Sequence, residues 1–181
     1  MPSRAVPDSL CACRLPALRS AEERPVGDAA DTHHGTAIAI GGSAALIIGP
    51  SGAGKSDLAL RCLAVAPSTL IPVPAHLIAD DRVLVSIAGG RLRVQAPETI
   101  RGKLEVRGIG ILEVPYARDA DLALIVELVA PEAVERMPDP PPRRDLLGVS
   151  MLLLRLAPFE AAAPVKLLLA LARAAQVPGK P

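Results

Sequence analysis

The sequence predicts an α/β domain organised on a mixed sheet in which strands outnumber helices, and three observations carry that expectation. Short apolar runs such as Ala44–Ile48, Asp121–Val129 and Val149–Leu156 have the length and composition of buried strands. The pairs Gly41-Gly42 and Gly89-Gly90 each join two extended runs, as tight antiparallel hairpins do. After the first 31 residues helical spacing is confined to Ser56–Ala66 and Ala161–Gln176, and hairpins on both sides of the first of these helices fit poorly with an ordinary parallel βαβ unit.

Taken in order, residues 1–31 mix prolines, charges and alanines without sustained periodicity, so they are expected to be a poorly ordered tail with a short helix near Leu15–Glu23. Cys11, Cys13, His33 and His34 have no common zinc-finger spacing. A folded domain is expected over residues 32–178. Thr36–Ile40 and Ala44–Ile48 form the first hairpin, with His34 just before its first strand. The next helix carries Leu58, Ala59, Cys62, Leu63 and Ala66 on one face. Pro67, Pro72 and Pro74 punctuate a loop before the run His76–Ala79, which ends in Asp80 and Asp81. Arg82–Ala88 and Arg91–Gln95 form the second hairpin, and residues 96–101 a turn. Residues 102–113 read as an extended segment with a glycine bend, placing Glu105 and Arg107 on one side. Asp121–Val129 is a strand, residues 132–142 are a charged, proline-rich loop containing Arg136, and Val149–Leu156 is a further strand. Phe159 lies in a turn, and Pro164 falls in the first turn of the last helix.

Composition excludes several classes. The chain of 181 residues is long enough for one domain with a sizeable core. Its formal charge of +1 and aromatic content of 1% provide neither the basic footprint nor the stacking platforms of nucleic-acid binders. No apolar run approaches the roughly 20 residues that span a bilayer, and the N-terminus lacks the apolar segment of a signal peptide. Three cysteines are too few for a disulfide framework, which suits a cytoplasmic location. Neither a nucleic-acid nor a membrane partner is expected.

The chemistry is concentrated at Gly49-Pro-Ser-Gly-Ala-Gly-Lys55-Ser56, which fits the phosphate-loop pattern of two glycines with four free positions between them, followed by lysine and a hydroxyl. With lysine only at positions 55, 103, 166 and 180, a chance match is on the order of one in several hundred. A strand precedes the loop and a helix follows it, so the helix N-terminus would aim its unpaired N–H groups at a phosphate. Lys55 would reach the outer phosphates and Ser56 would ligate Mg²⁺. Asp80 and Asp81 end a neighbouring strand, where metal and acceptor hydroxyl are usually managed, and adjacent carboxylates suit one of them to accept a proton. The loop pattern alone permits GTPases, small-molecule kinases and motor-type ATPases. There is no Asn-Lys-x-Asp motif for guanine, and Asp145-Leu-Leu-Gly148 is only a weak switch-like match.

Four segments in order resemble the catalytic domain of the HPr kinase/phosphorylase family: His34-Gly35, the loop at residues 49–56, Leu77–Val83, and Leu104-Glu-Val-Arg-Gly-Ile-Gly-Ile111. The resemblance implies an ATP- and Mg²⁺-dependent protein-serine kinase acting on an HPr-like phosphocarrier. It also implies a mixed-sheet P-loop domain of the phosphoenolpyruvate carboxykinase-like type and a homo-oligomer, a hexamer in the family. Gly49, Pro50, Ser51, Gly52, Ala53, Gly54, Lys55 and Ser56 would hold the nucleotide phosphates, and Ser56 and Glu105 the metal. Asp81 would be the general base, supported by Asp80, with His34, Lys55, Arg107 and Arg136 at matching active-site positions.

Two departures from the family pattern bear on function. Only the stretch before Thr32 stands where longer members carry a regulatory domain, as in the short alphaproteobacterial form. Ala163–Ala170 keeps the Pro-Val-Lys start of the family segment implicated in dephosphorylation but lacks its following Gly-Arg, which leaves open whether the enzyme is a kinase alone or a bifunctional kinase/phosphorylase. A non-catalytic ATP-sensing module and a small-molecule kinase of the same fold are the alternatives.

Overall fold

The computed structural model describes residues 30–176. Its strands are β1 (Asp31–His34), β2 (Thr36–Ile40), β3 (Ser43–Ile48), β4 (His76–Ala79), β5 (Arg82–Ala88), β6 (Arg91–Gln95), β7 (Lys103–Val106), β8 (Gly110–Glu113), β9 (Asp119–Leu128), β10 (Arg143–Leu146) and β11 (Val149–Leu156). Its helices are α1 (Lys55–Leu63) and α2 (Ala163–Ala174).

The main sheet runs β1-β5-β6-β9-β3-β2-β4. Because β2 continues directly from β1 through the single residue Gly35, the sheet curls round until its first and sixth strands are one chain segment. Ala37, Ala39, Ala44 and Leu46 point into this curl and meet Ile78, Val83, Val85, Leu92, Val94, Leu122 and Ile125. The intervening residues Ile38, Ile40, Ala45 and Ile47 face outward under Leu58, Ala59 and Cys62 of α1 and Leu167, Leu168 and Leu171 of α2. Both faces of β2 and β3 are therefore buried. That is why the two strands read as unbroken apolar runs, and the alanines fit the tight interior of the curl.

β9 lies parallel to β3 on one edge and to β11 on the other, so these three strands end on the same side of the molecule. The loop after β3, the chain after β9 and the turn after β11 gather there, the usual place for a ligand in a parallel sheet. β1 and β2 together pair antiparallel with β5 and β4, from Asp31 opposite Val85 to Ala37 opposite Ala79 in one register. The ladder breaks at Gly35-Thr36, facing Asp80-Asp81, and shifts register after Ala37. Gly35 is required at the break because a Cβ there would lie 2.7 Å from the Ile47 carbonyl oxygen.

Both hairpins form where the glycine pairs predict them, and both helices begin and end within a few residues of expectation. Four details differ. His34 is the last residue of β1 rather than a pre-strand residue, since pairing with β5 extends the sheet upstream. The segment over 102–113 is a two-stranded hairpin, β7 and β8, folded back at Arg107–Ile109. The 96–101 turn and the chain after β9 hold short 3-10 turns at Glu98–Ile100 and Pro131–Ala133. β10 was not foreseen; it is an edge strand, and its Arg-Arg-Asp-Leu sequence has the charged character edges take. Leu147 and Gly148 form its turn to β11 with φ of 50° and 78°, which accounts for Asp145-Leu-Leu-Gly148 as hairpin chemistry. The expected tail helix and the Cys11 and Cys13 positions lie outside the described residues. Among the described residues no helix is long and apolar enough to cross a membrane.

Candidate functional site

The loop after β3 ends at Gly54, whose φ of 90° is open to glycine and turns the chain into α1. A Cβ at Gly54 would meet the Phe159 ring at 3.0 Å, so the ring and the loop backbone approach closely. The first bond of α1 runs from the Leu58 N–H to the Gly54 carbonyl at 2.9 Å, and the N–H groups before it have no partner within the helix. Lys55, 7% exposed, donates to the Gly49 and Pro50 carbonyls at 3.0 Å each and so braces the loop across itself. An ammonium has three N–H donors, which leaves one for an anion above the loop.

Opposite the loop, the broken ladder gives two adjacent carboxylates unlike surroundings. Asp80 is 7% exposed and accepts from the Thr36 hydroxyl at 2.7 Å, the Ser56 hydroxyl at 2.8 Å and the Glu105 N–H at 3.2 Å. Asp81 is the centre of a γ-turn closed by the Arg82 N–H on the Asp80 carbonyl at 2.8 Å, and its φ of 67° is strained for a side-chain-bearing residue. The strain turns its carboxylate outward, with 65% of the side chain exposed, beside His34 Nδ1 at 3.3 Å and Arg82 Nε at 3.7 Å. Gly35 N–H and His34 Nδ1 lie 3.1 Å from the Asp81 carbonyl oxygen and hold the turn in place.

These groups line one open cavity of about 460 Å³. Of the residues expected from sequence it brings together His34, Ser51, Gly52, Gly54, Lys55, Ser56, Asp80, Asp81, Glu105 and Arg107. Gly49, Pro50 and Ala53 shape the loop from outside that lining. Arg136 does not line the cavity and is exposed after the Pro131–Ala133 turn. The Ser56 hydroxyl donates to the Asp80 carboxylate, and Glu105 lines the cavity while its N–H donates to Asp80. Asp80 is anchored from β2, α1 and β7.

The oxygen groups suit Mg²⁺: the Ser56 hydroxyl donates to the Asp80 carboxylate, and the carboxylates of Asp81 and Glu105 line the same cavity. Among the described residues no three His, Cys, Asp or Glu side chains converge as a protein cage, and Mg²⁺ characteristically takes one or two carboxylates with phosphate and water for the rest. Two contributors were not foreseen. Thr36 is wholly buried within an apolar strand, and nothing local in Thr-Ala-Ile-Ala-Ile marks it. Phe159, 73% exposed, was read only as a turn residue. The signal was its rarity, since the chain has one Phe and one Tyr.

The family described as HPr Serine kinase C-terminal domain matches residues 28–172. HPr kinase/phosphorylase of Acidovorax sp. (strain JS42) is 38% identical over 133 residues, covering 67% of this chain and 39% of that protein. The protein of the same name in Bordetella petrii is 37% identical over 129 residues, covering 65% and 39%. This chain therefore spans about 39% of the length of these curated relatives. The solved Hpr(Ser) kinase/phosphatase from Coxiella burnetii superposes with a TM-score of 0.64 at 23% identity, covering 81% of this chain and 91% of that one. This is a likeness of fold, and it agrees with a mixed-sheet P-loop domain of the phosphoenolpyruvate carboxykinase-like type.

Proposed function

The chain belongs to the HPr serine kinase C-terminal domain family, and from that premise we propose that it is an ATP- and Mg²⁺-dependent protein-serine kinase whose acceptor is an HPr-like phosphocarrier. The observation that carries this reading is the unlike pair of carboxylates: Asp80 buried against Ser56, Asp81 turned outward at the cavity mouth. An acceptor hydroxyl on a second protein can reach an exposed base, whereas a metabolite kinase gains by enclosing its acceptor away from water.

Phosphoryl transfer asks a protein mainly for alignment and charge neutralisation. The N–H groups of the loop and the first turn of α1 would hold the phosphates, and Lys55, already fixed by two carbonyls, would place a positive charge on them. Ser56 and Glu105, with the Asp80 carboxylate beside Ser56, would hold the metal, which when bound offsets the charge of the phosphate oxygens. Thr36 and the Glu105 N–H keep the Asp80 carboxylate on Ser56. Asp81 would take the proton of the serine hydroxyl, with His34 and Arg82 beside it. Arg107 would contribute positive charge at the rim, and Arg136 is assigned to the same chemistry only through the family pattern. Self-assembly and a cytoplasmic setting belong to this reading, which is of the kinase direction.

Incubating the chain with HPr and γ-labelled ATP tests the proposal. One serine of HPr should carry label, and Lys55→Ala should remove it. Equal labelling by Lys55→Ala would refute the site, and tight ATP binding without phospho-HPr would favour a nucleotide-sensing module.

A further inference from the structure

A second cavity, of about 480 Å³, lies on the other flank of the phosphate loop. It is lined by Pro50 and Ala53 of the loop, by Leu128–Pro131 after β9, and by Ala157–Glu160 after β11. It therefore sits at the ends of the parallel strands β9 and β11, whereas Asp80 and Asp81 lie at the end of β4, beyond β2. The wall is almost wholly apolar. Its one charged side chain, Glu160, is paired with Lys166. Phe159 lines both cavities and so joins them over Gly54.

We propose that this cavity takes the nucleobase of the phosphate donor, with the Phe159 ring as its stacking wall and with little power to tell adenine from guanine. The inference rests on the nucleotide reading of the loop. Polarity of the donor follows from the geometry: the phosphate that is transferred must lie beside Asp81, so the nucleoside end leaves on the opposite flank of the loop, where this cavity opens. Its volume falls in the range of small-molecule pockets, and its apolar lining suits a flat ring system. Discrimination between purines depends on donors and acceptors, of side chain or backbone, aimed at their exocyclic groups. The wall presents almost no polar surface and its one charged side chain, Glu160, is paired, so ATP and GTP should bind within about tenfold of one another.

The test is calorimetric titration of the full chain with ATP, GTP and inorganic tripolyphosphate in the presence of Mg²⁺. ATP and GTP should both bind more tightly than tripolyphosphate, and Phe159→Ala should weaken both nucleotides about tenfold, the loss of one base-stacking contact, while tripolyphosphate changes less than twofold. Ala130→Leu, which narrows the cavity from an exposed position away from the loop, should do the same. ATP binding no tighter than tripolyphosphate would overturn the base assignment and leave the phosphate site standing. So would equal loss of ATP and tripolyphosphate in both variants, or a preference for one purine well beyond tenfold. Failure of all three to bind would instead refute the nucleotide reading itself.

Discussion

Replacing Thr36 with valine removes one hydroxyl from the wholly buried position beneath Asp80 and otherwise keeps the shape of the side chain. The lost bond is short, 2.7 Å, and its acceptor is a carboxylate that no lysine or arginine among the described residues reaches within 4.0 Å. Hydrogen bonds to charged acceptors contribute about 1.5–3 kcal/mol, and here the deserted oxygen keeps only the Ser56 hydroxyl. The folded state should lose about 1.5–3 kcal/mol, a fall in Tm of roughly 3–12 °C for a domain of this size. Urea denaturation of the unsubstituted chain, Thr36→Val and Thr36→Ser measures it, with serine restoring most of the loss. On an Asp80→Asn background the same change removes a bond to a neutral acceptor, about 0.5–1.5 kcal/mol, so the double-mutant cycle should show coupling of about 1 kcal/mol. A loss below about 0.5 kcal/mol, or equal losses on both backgrounds, would refute Asp80 as an anion held by these donors.

Two further predictions concern the scaffold. Gly35→Ala drives a methyl group against the Ile47 carbonyl at the break between β1 and β2, and overpacking of this kind costs about 1–3 kcal/mol; a urea midpoint equal to that of the unsubstituted chain would show that the kink can relax. Burial against the sheet pushes the Cys62 thiol from the ordinary 9.0 up to about 12, although nearby Arg61 pulls the other way. The folded thiol keeps its proton where the unfolded one loses it, so this contribution to stability is intact below pH 9.0 and drains away as pH rises toward about 12. Urea midpoints at about pH 8 and about pH 10 should therefore diverge less in Cys62→Ala than in the unsubstituted chain, and an equal divergence would contradict a buried, protonated thiol.

The parts of the fold that were legible in the sequence are those with local causes. Gly41-Gly42 and Gly89-Gly90 set hairpins through their own φ angles of 54°, 91°, 58° and 76°, and the phosphate loop follows from its glycines and the helix after it. The closure of the sheet was not legible, because it depends on β1 finding β5 about fifty residues away, and four exposed or half-buried residues, Asp-Thr-His-His, carry no strand pattern. The unlike roles of Asp80 and Asp81 were hidden for the same reason. Two identical side chains are told apart by Thr36, Ser56 and Glu105 on one side and by a strained turn on the other, and all three partners come from distant segments. Phe159 illustrates the converse. Its rarity was visible, but its place over Gly54 depends on β11 ending beside the loop.

Asp81, held outward by the turn, would accept the proton of a protein serine. Asparagine matches aspartate in size and shape and places the same demand on the turn, so Asp81→Asn should fold and bind ATP as the unsubstituted chain does. Label transfer from γ-labelled ATP to HPr should then fall by about 10²–10⁴, the usual contribution of a general base. Transfer by Asp81→Asn within a few-fold of the unsubstituted rate, at equal ATP affinity, would contradict the account.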